Sequence, residues 1–363
     1  MKSSSIREFQ DGMSKLGVEG ILLNTSEITR STNLKHLTGF TGSDASLLIS
    51  PYQADLFTDG RYKSQSILEC SNLKIHITRN KIKSLTSIIT RLNLKTMGLE
   101  GSRISYDFIT RLSKSLPHIR FISLNRRVFE NLRIFKGSEQ LEKIKSAAQL
   151  ASSVCLEVIS KGLAGRRESE IAATLESLFR ERGASGVSFP TIVASGHRSA
   201  LPHGSASSKI VEPGDLVIID YGCVWSEYCS DETVSCIVQE SPNAGQQKIY
   251  LAVRNAHDSA IEALHPGVKA KDVDRIARDS IASAGLGDKF LHSLGHGVGL
   301  EVHEAPYLSP KSNEKLESGM VFTIEPGVYV ENVGGVRLES LVHLSDTGPE
   351  ILSSAPKELI RTS

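Results

Sequence analysis

The chain has 363 residues, of which 39% are hydrophobic and 23% charged, and its formal net charge is +1. This is a globular composition, and the length indicates two or three domains. The charge balance gives no reason to expect a nucleic-acid partner or binding to an anionic membrane. No apolar run approaches the roughly 20 residues that span a bilayer, and the first residues lack a signal-peptide core. The five cysteines contain no C-x-x-C pair, so we expect no disulfide framework and a cytoplasmic protein.

Residues 1–130 alternate short apolar runs with helical stretches, which is typical of a small α/β domain. Strands are predicted where such runs are bounded by Gly, Pro or Asp. The clearest of them are residues 20–23, 45–50 and 54–58.

Residues 131–363 have a different pattern, which predicts a second domain of α+β class with helices on a largely antiparallel sheet. The segment after Gly137 has apolar residues three and four apart and predicts a helix with Ser138 as its N-cap. Three further helices are each ended by Gly or Pro: 169–182, 246–264 and 272–284. Strand-rich segments lie between and after them: 186–195, 215–239 and 319–346.

Carboxylates occur inside the apolar strands of this second domain. The run 215–220 ends in Asp220, and period-two alternation along 228–238 places Asp231 on one face of the return strand. If the connection is centred near Trp225-Ser226, Asp220 and Asp231 lie opposite one another. Like charges placed in this way destabilise a hairpin.

The same pattern recurs near the C-terminus. The run 320–325 ends in Glu325, and the turn signal at 332–335 is followed by a strand that contains Glu339. A turn centred on Asn332 places Glu325 opposite Glu339. These acids could lie in solvent at strand ends, paired with Arg337 or nearby lysines. Two matched pairs favour bound cations, because four clustered carboxylates match two divalent ions.

Residues 291–306 read LHSLGHGVGLEVHEAP and contain three of the eleven histidines, His292, His296 and His303. A zinc helix is not expected here, because each glycine costs a helix about 1 kcal/mol. His296, presented between glycines that permit close approach, is the best candidate for a fifth ligand. Oxygen donors with one imidazole favour Mn²⁺, although Co²⁺, Fe²⁺ or Zn²⁺ could bind.

These motifs resemble those of the pita-bread metallopeptidases, which include methionine aminopeptidase, aminopeptidase P and prolidase. The matching segments are IDYG with Asp220, CSDET with Asp231, LGHGVGLEVHEAP with His296, TIEPGVYV with Glu325 and GGVRLES with Glu339. The resemblance implies a pita-bread catalytic domain and a dinuclear metal site formed by these five residues, with Asp231 and Glu339 bridging the ions.

The N-terminal part narrows the resemblance to the proline-specific members. NLKHLTGFTGSDASLLI and ADLFTDGRY are similar to the creatinase-type α/β domain of Xaa-Pro aminopeptidases, which methionine aminopeptidases lack. PTIVASGHRSALPHGSAS resembles the segment that supplies an active-site histidine, here His203. His292 and His303 match two further active-site histidines of that subgroup.

Three positions depart from the family pattern. Arg198 stands where asparagine is common, Ser340 follows Glu339 where aspartate is frequent, and Glu-Thr-Val follows Asp231 where Thr-Arg is common. None of these changes removes an expected ligand, so they bear on substrate preference.

The resemblance implies an Xaa-Pro aminopeptidase. Its substrates would be peptides with proline in the second position, hydrolysed by a hydroxide that bridges two metal ions. We expect Glu325 to be the general base and His203 or His303 to stabilise the oxyanion. His292 is expected to position the substrate and Arg337 to orient the site.

Three alternatives remain. A prolidase would cleave only Xaa-Pro dipeptides with the same ligands, a creatinase-type enzyme would hydrolyse a guanidino compound, and a binding module would be non-catalytic. The last two classes typically lack the metal ligands that this chain retains. Relatives are often oligomeric, so we expect a homodimer. Tyr221, Trp225 and Tyr329 could border the pocket, but we expect them in the core or on the surface.

Overall fold

A computed structural model describes residues 2–363, with side chains described from Ile6 onward. The chain forms two compact units, the first ending at Arg133 and the second comprising Ile134–Ser363. Each unit has hydrophobic clusters of its own, as expected of a domain. Within the described residues, no helix combines the length and the apolar character that crossing a bilayer requires.

The first unit is an α/β domain, as predicted. Its strands are β1 (Gly20–Thr25), β2 (Ala45–Ile49), β3 (Ala54–Thr58), β4 (Lys74–Ile77), β5 (Thr96–Leu99) and β6 (Arg120–Ser123). Its helices are α1 (Lys2–Leu16), α2 (Thr32–Thr38), α3 (Lys63–Glu69), α4 (Lys81–Arg91), α5 (Tyr106–Ser115) and α6 (Arg126–Glu130). The strands form one mixed sheet in the order β4-β3-β2-β1-β5-β6.

Both faces of this sheet are covered, which explains why its inner strands β1 and β2 are buried along their whole length. Ile21 and Leu23 of β1 enter one hydrophobic cluster, whereas Leu22 enters the cluster on the other face. Four helices in this unit begin at a side chain that accepts a hydrogen bond from a first-turn amide. Such amides otherwise have no partner in the helix. These N-caps are Ser31, Asn80, Ser105 and Asn125.

The second unit contains the four predicted helices, α7 (Ser138–Ser160), α8 (Glu168–Glu181), α9 (Ala244–Glu262) and α10 (Ala270–Ser283). The cap of α7 differs from the prediction, because the helix begins at Ser138 and its N-cap is Gly137. The Gln140 side chain accepts the Gly137 amide at 2.9 Å, so a side chain within the helix caps it.

The strands of the second unit are short and mostly antiparallel, as predicted. They are β7 (Gly186–Val187), β8 (Ile192–Ser195), β9 (Leu216–Tyr221), β10 (Cys223–Trp225), β11 (Tyr228–Cys229), β12 (Glu232–Val238), β13 (Gly295–Gly297), β14 (Glu304–Leu308), β15 (Val321–Ile324), β16 (Gly327–Val330), β17 (Gly334–Arg337), β18 (Ser340–Ser345), β19 (Gly348–Ile351) and β20 (Ile360–Thr362). The two largest sheets have the orders β20-β12-β9-β8 and β14-β13-β15-β18-β19.

Each of these sheets packs on its own helix pair. Val217 and Ile219 of β9, with Val234 of β12, share a hydrophobic cluster with α7 and α8. Phe322 of β15 and Val342 of β18 belong to the cluster of α9 and α10. Because strand side chains alternate, the residues between the apolar ones on β9 and β12 point away from α7 and α8. Asp220 of β9 and Asp231, which precedes β12, lie on that opposite face.

Candidate metal centre

The first acidic hairpin has a different register from the one predicted. The connection is a two-residue turn at Ser226-Glu227, whose φ values of 46° and 77° are left-handed. This turn lies one residue later than the predicted Trp225-Ser226, so Asp220 pairs with Thr233. The prediction that Asp220 lies directly opposite Asp231 is therefore wrong by two residues. An even shift keeps both acids on the same face.

The second acidic hairpin has the predicted register. Ile324 pairs with Ser340 in one ladder and Gly327 pairs with Arg337 in the next, so Glu325 lies across from Glu339. The turn residue is the expected Asn332, with a left-handed φ of 65°.

The two glutamates lie at the break between these ladders, where their amides bond to other strands. The Glu325 amide donates to the Leu294 carbonyl at 2.8 Å, and the Glu339 amide donates to the Thr233 carbonyl at 3.1 Å. These two hydrogen bonds connect the second hairpin to the histidine-rich stretch and to β12. The acids of the two hairpins are thereby brought to one place.

The side chains meet in a compact cluster. Asp231, His296 and Glu339 offer ligand atoms that all lie within 4.8 Å of one another. The His296 Nε2 atom lies 3.6 Å from Asp231 Oδ2 and 3.4 Å from Glu325 Oε1. Asp220 joins them closely enough for its charge to raise the pKa values of Asp231, Glu325 and Glu339. The structure thus brings together the five predicted ligand positions.

The acids of the cluster disfavour each other's charge. Burial raises the pKa of Glu325 to about 8. Burial, followed by the neighbouring carboxylates, raises the pKa values of Asp231 and Glu339 well above their usual range. Burial and His303 lower the pKa of His296 to about 3. Its imidazole is therefore neutral at pH 7, and its contacts with the acids are not ion pairs.

A buried carboxylate oxygen tests whether a cation fits here. Asp220 Oδ1 is buried and lacks a hydrogen-bond partner among the residues that the structure describes, a situation that costs about 1–3 kcal/mol. A cation would satisfy this oxygen and remove the repulsion among the acids. Four carboxylates and a neutral imidazole are also donors that divalent metals accept. The residues fit a divalent metal.

Arg337 lies behind this cluster and is 3% exposed. It donates to Asp220 Oδ2 at 2.7 Å, to the Tyr329 hydroxyl at 2.8 Å and to Thr233 Oγ1 at 3.1 Å. Burial opposes its charge, but Tyr329, Asp220 and Glu325 together raise its pKa well above the usual value. The guanidinium is therefore a permanent cation that orients Asp220.

The three predicted substrate histidines lie near one another. The His303 ring centroid is 4.2 Å from that of His296, and His203 influences the titration of both His292 and His303. His203 and His303 are exposed. Burial lowers the pKa of His292 to about 4.

The sequence analysis missed one polar residue of the site and gave another only as an alternative. Tyr329 was allowed at the border of the pocket but expected in the core or on the surface; its hydroxyl lies 2.9 Å from His292 Nε2 and also accepts from Arg337. The Thr233 hydroxyl donates to Glu339 Oε2 at 2.7 Å. Alternation along β12 places Thr233 on the face of Asp231 and could have identified it, whereas the sequence near Tyr329 contains no comparable signal.

Four buried acids carried by two hairpins of an α+β unit, with one imidazole from β13 beside them, are typical of a hydrolytic metal centre. Residues 142–346 match metallopeptidase family M24, and residues 6–135 match the creatinase/prolidase N-terminal domain. The chain belongs to metallopeptidase family M24, and the predicted pita-bread fold with a creatinase-type N-terminal domain is confirmed.

Relatives match over nearly the whole chain. A Xaa-Pro dipeptidase of Pyrococcus horikoshii is 37% identical over 361 residues, covering 99% of this chain and 98% of that protein. The Xaa-Pro dipeptidase from Bacillus anthracis has a TM-score of 0.95 at 34% identity, covering 99% of this chain and 100% of that one. The X-Pro aminopeptidase from Thermotoga maritima has a TM-score of 0.88 at 37% identity, covering 96% and 99%.

Proposed function

We propose that this metallopeptidase is an Xaa-Pro dipeptidase, which hydrolyses the bond before proline in dipeptides. The observation that carries the proposal is the cluster of mutually repelling acids around a neutral imidazole, which suits a hydrolytic metal site. Full-length similarity to proteins described as Xaa-Pro dipeptidases supports this substrate class over the aminopeptidase activity that the sequence analysis favoured.

We propose that the cluster holds two divalent cations, with Mn²⁺ preferred. About four negative charges on four carboxylates match two such ions, and oxygen donors favour a hard metal. The proposed ligands are Asp220, Asp231, His296, Glu325 and Glu339. When bound, the cations supply a water that ionises near neutral pH and polarise the scissile carbonyl.

Glu325 is proposed to move the protons of the reaction. It accepts a proton from the attacking water and delivers it to the proline nitrogen, which must be protonated to leave. Its carboxylate is suited to this exchange because it belongs to the cluster that would hold the cations and their water, with Oε1 3.4 Å from His296 Nε2. Thr233 and Arg337 keep the neighbouring acids in place through the hydrogen bonds described above.

The histidines are proposed to bind the substrate. Neighbouring protein atoms partly desolvate the His303 ring, although its edge is exposed, and this lowers its pKa. At pH 7 its neutral imidazole can therefore donate an N–H to the developing oxyanion, a role that His203 could share. The His292 ring is fixed by the Ser293 carbonyl at 2.8 Å from Nδ1 and by the Tyr329 hydroxyl. A ring fixed in this way can position the substrate backbone.

The substrate class is tested by comparing Gly-Pro with the tripeptide Gly-Pro-Gly, each with Mn²⁺. A dipeptidase should have a kcat/KM for Gly-Pro at least about 10-fold higher than for the tripeptide, a difference of about 1.4 kcal/mol. Equal or faster cleavage of the tripeptide would instead establish the aminopeptidase. Gly-Ala serves as the control for the proline requirement.

We further propose a homodimer and a cytoplasmic location, as predicted from the sequence. Sedimentation velocity tests the first: a single species near the mass of one 39.5 kDa chain would contradict it. Cell fractionation tests the second.

A further inference from the structure

Another carboxylate, Glu232, lies behind the candidate metal centre and is 2% exposed. It follows Asp231 directly, so alternation sends its side chain to the opposite face of β12. Its cross-strand partner on β9 is Tyr221, which directly follows Asp220. The residues adjacent to two proposed metal ligands therefore meet on the back of the same pair of strands.

Four donors surround the Glu232 carboxylate. Oε2 accepts from the Ser152 hydroxyl at 2.5 Å and from the Tyr221 hydroxyl at 2.7 Å. Oε1 accepts from the Ala355 amide at 3.1 Å and from Lys357 Nζ at 2.6 Å. The carboxylate thus has the partners that a buried acid needs in order not to destabilise the fold.

These donors come from three separate parts of the second unit. Ser152 belongs to α7, Tyr221 belongs to β9, and Ala355 and Lys357 belong to the segment that leads into β20. The Ser354 amide also donates to Ser152 Oγ at 3.0 Å, which attaches this segment to the helix. Glu232 therefore connects β12 to a helix, a strand and the C-terminal segment.

We propose that Glu232 is a positioning residue for the metal centre. Its hydrogen bonds hold β9 and β12 in the relative position in which Asp220 and Asp231 face the same cations. Glu232 itself contacts neither substrate nor metal, so it acts through the strands. The inference rests on the proposed metal site. Groups that hydrogen-bond metal ligands directly change metal affinity by about 10- to 100-fold when mutated, and Glu232, which acts one layer further out, is expected at the lower end of that range.

The main test is the Mn²⁺ affinity of Glu232→Gln, measured from the signal of free Mn²⁺ in electron paramagnetic resonance titrations. Glutamine has the same shape, but its amide group faces donors that need an acceptor. We expect Mn²⁺ to bind about 10-fold more weakly or worse. At saturating Mn²⁺, kcat for Gly-Pro should fall while KM changes less than about 2-fold, because Glu232 does not contact the substrate.

Lys357→Met keeps the carboxylate and provides a second, milder variant should Glu232→Gln fail to fold. We expect a smaller loss of Mn²⁺ affinity than for Glu232→Gln. In the double variant the two losses should not add, because Lys357 acts through Glu232. Additive losses would show that Lys357 affects the metal by another route and would contradict the proposed network.

Glu100→Gln is the matched control. Glu100 is also a 2% exposed carboxylate with side-chain donors, Ser31 and Asn33, but it belongs to the first unit. The Glu100→Gln protein should be less stable than the wild type but should bind Mn²⁺ with unchanged affinity. Equal weakening of Mn²⁺ binding in both variants, or unchanged binding in a folded Glu232→Gln protein, would overturn the proposal.

Failure of the proposed function gives a different result. A wild-type protein that binds Mn²⁺ but does not cleave Gly-Pro refutes the dipeptidase activity and leaves the Glu232 comparison intact. A wild-type protein that binds no Mn²⁺ refutes the metal site, and the positioning role of Glu232 is refuted with it.

Discussion

The buried carboxylates of the first unit have hydrogen-bond donors of their own. Glu100 accepts from Ser31 and from Asn33, each at 2.5 Å, and these bonds oppose the rise in its pKa that burial causes. Asp55, which is fully buried, has an oxygen 2.7 Å from His76 Nε2. The partners named here, Ser31, Asn33 and His76, all belong to the first unit.

The acids of the candidate metal centre face one another instead. Asp231 is as deeply buried as many core residues, yet the groups that most affect its pKa after burial are Glu339 and Asp220, which raise it. One oxygen of Asp220 has no hydrogen-bond partner among the described residues. Buried acids therefore occur in both units. The acids of the candidate metal centre differ because they lack sufficient partners in the chain, and a bound cation would supply them.

The largest effect is expected for Asp231→Asn, which keeps the size of the side chain and removes its charge. The loss of a proposed ligand should lower kcat/KM for Gly-Pro by at least about 1,000-fold, or about 4 kcal/mol. Without metal the variant should unfold at a higher temperature than the wild type, because one repelling charge is gone. Activity assays and calorimetry in EDTA measure the two effects.

A folded Asp231→Asn protein with turnover within about 10-fold of the wild type would contradict the site assignment. Lower thermal stability than the wild type in EDTA would contradict the interpretation that the acids repel one another. Glu100→Gln, in which a satisfied carboxylate is lost, should destabilise the protein with or without metal.

The second unit also contains a buried acid with a partner in the chain, and it should behave like those of the first unit. Lys136 Nζ lies 2.7 Å from Glu304 Oε1, and the two side chains are 2% and 3% exposed. Lys136→Met removes this cation from a buried ion pair and should destabilise the protein by up to about 3–5 kcal/mol, as measured in urea. The loss should be the same in EDTA and in Mn²⁺.

The double variant Lys136→Met/Glu304→Gln is the control for this ion pair. Removing both charges should recover most of the stability, because neither charge of the pair then remains buried. A double variant as unstable as Lys136→Met would show that packing, rather than charge pairing, accounts for the loss.

The sequence was sufficient to predict which acids lie together, because strand alternation and residue type are local properties. It also predicted the register of the second hairpin, since Asn332 is a residue type that tolerates a left-handed conformation. The first hairpin was misaligned because its left-handed turn residues, Ser226 and Glu227, give no such signal. Turn chemistry therefore decided where register could be predicted.

Contacts between distant segments could not be predicted. The amides of Glu325 and Glu339 bond to Leu294 and Thr233, which are far away in the chain and give no sign of this pairing. The position of the Tyr329 hydroxyl between His292 and Arg337 likewise depends on three segments at once. Patterns in a single sequence predict local geometry, but they do not predict which distant segments come into contact.

A smaller effect is expected from pH in the metal-free protein. Burial raises the pKa of Glu325 from 4.5 to about 8, and Asp231 and Glu339 shift in the same direction. The folded state therefore binds more protons than the unfolded state in this range, so stability falls as pH rises. The lowered pKa values of His292 and His296 have the opposite effect, but only below about 6.5.

Between pH 6.5, the ordinary pKa of histidine, and pH 8, the pKa of Glu325, the acids should determine how the free energy of unfolding changes with pH. In EDTA the melting temperature should fall by several degrees across this range. Each kcal/mol lost from the free energy of unfolding lowers it by on the order of 2–4 °C. The stabilisation by added Mn²⁺ should increase over the same range, because the cation replaces the protons. A melting temperature in EDTA that rises with pH would contradict the raised pKa values.

The smallest effect is expected for Asn80→Ala at the start of α4, where Asn80 Oδ1 accepts from the Lys83 amide at 3.0 Å. Loss of this cap should cost the first unit about 1 kcal/mol, and Asn80→Gly only a few tenths. Urea unfolding measures both costs. Neither variant should change Mn²⁺ affinity or kcat/KM, because the proposed ligands all belong to the second unit. A loss of Mn²⁺ binding in Asn80→Ala would show that the first unit contributes to the chemistry as well as to stability.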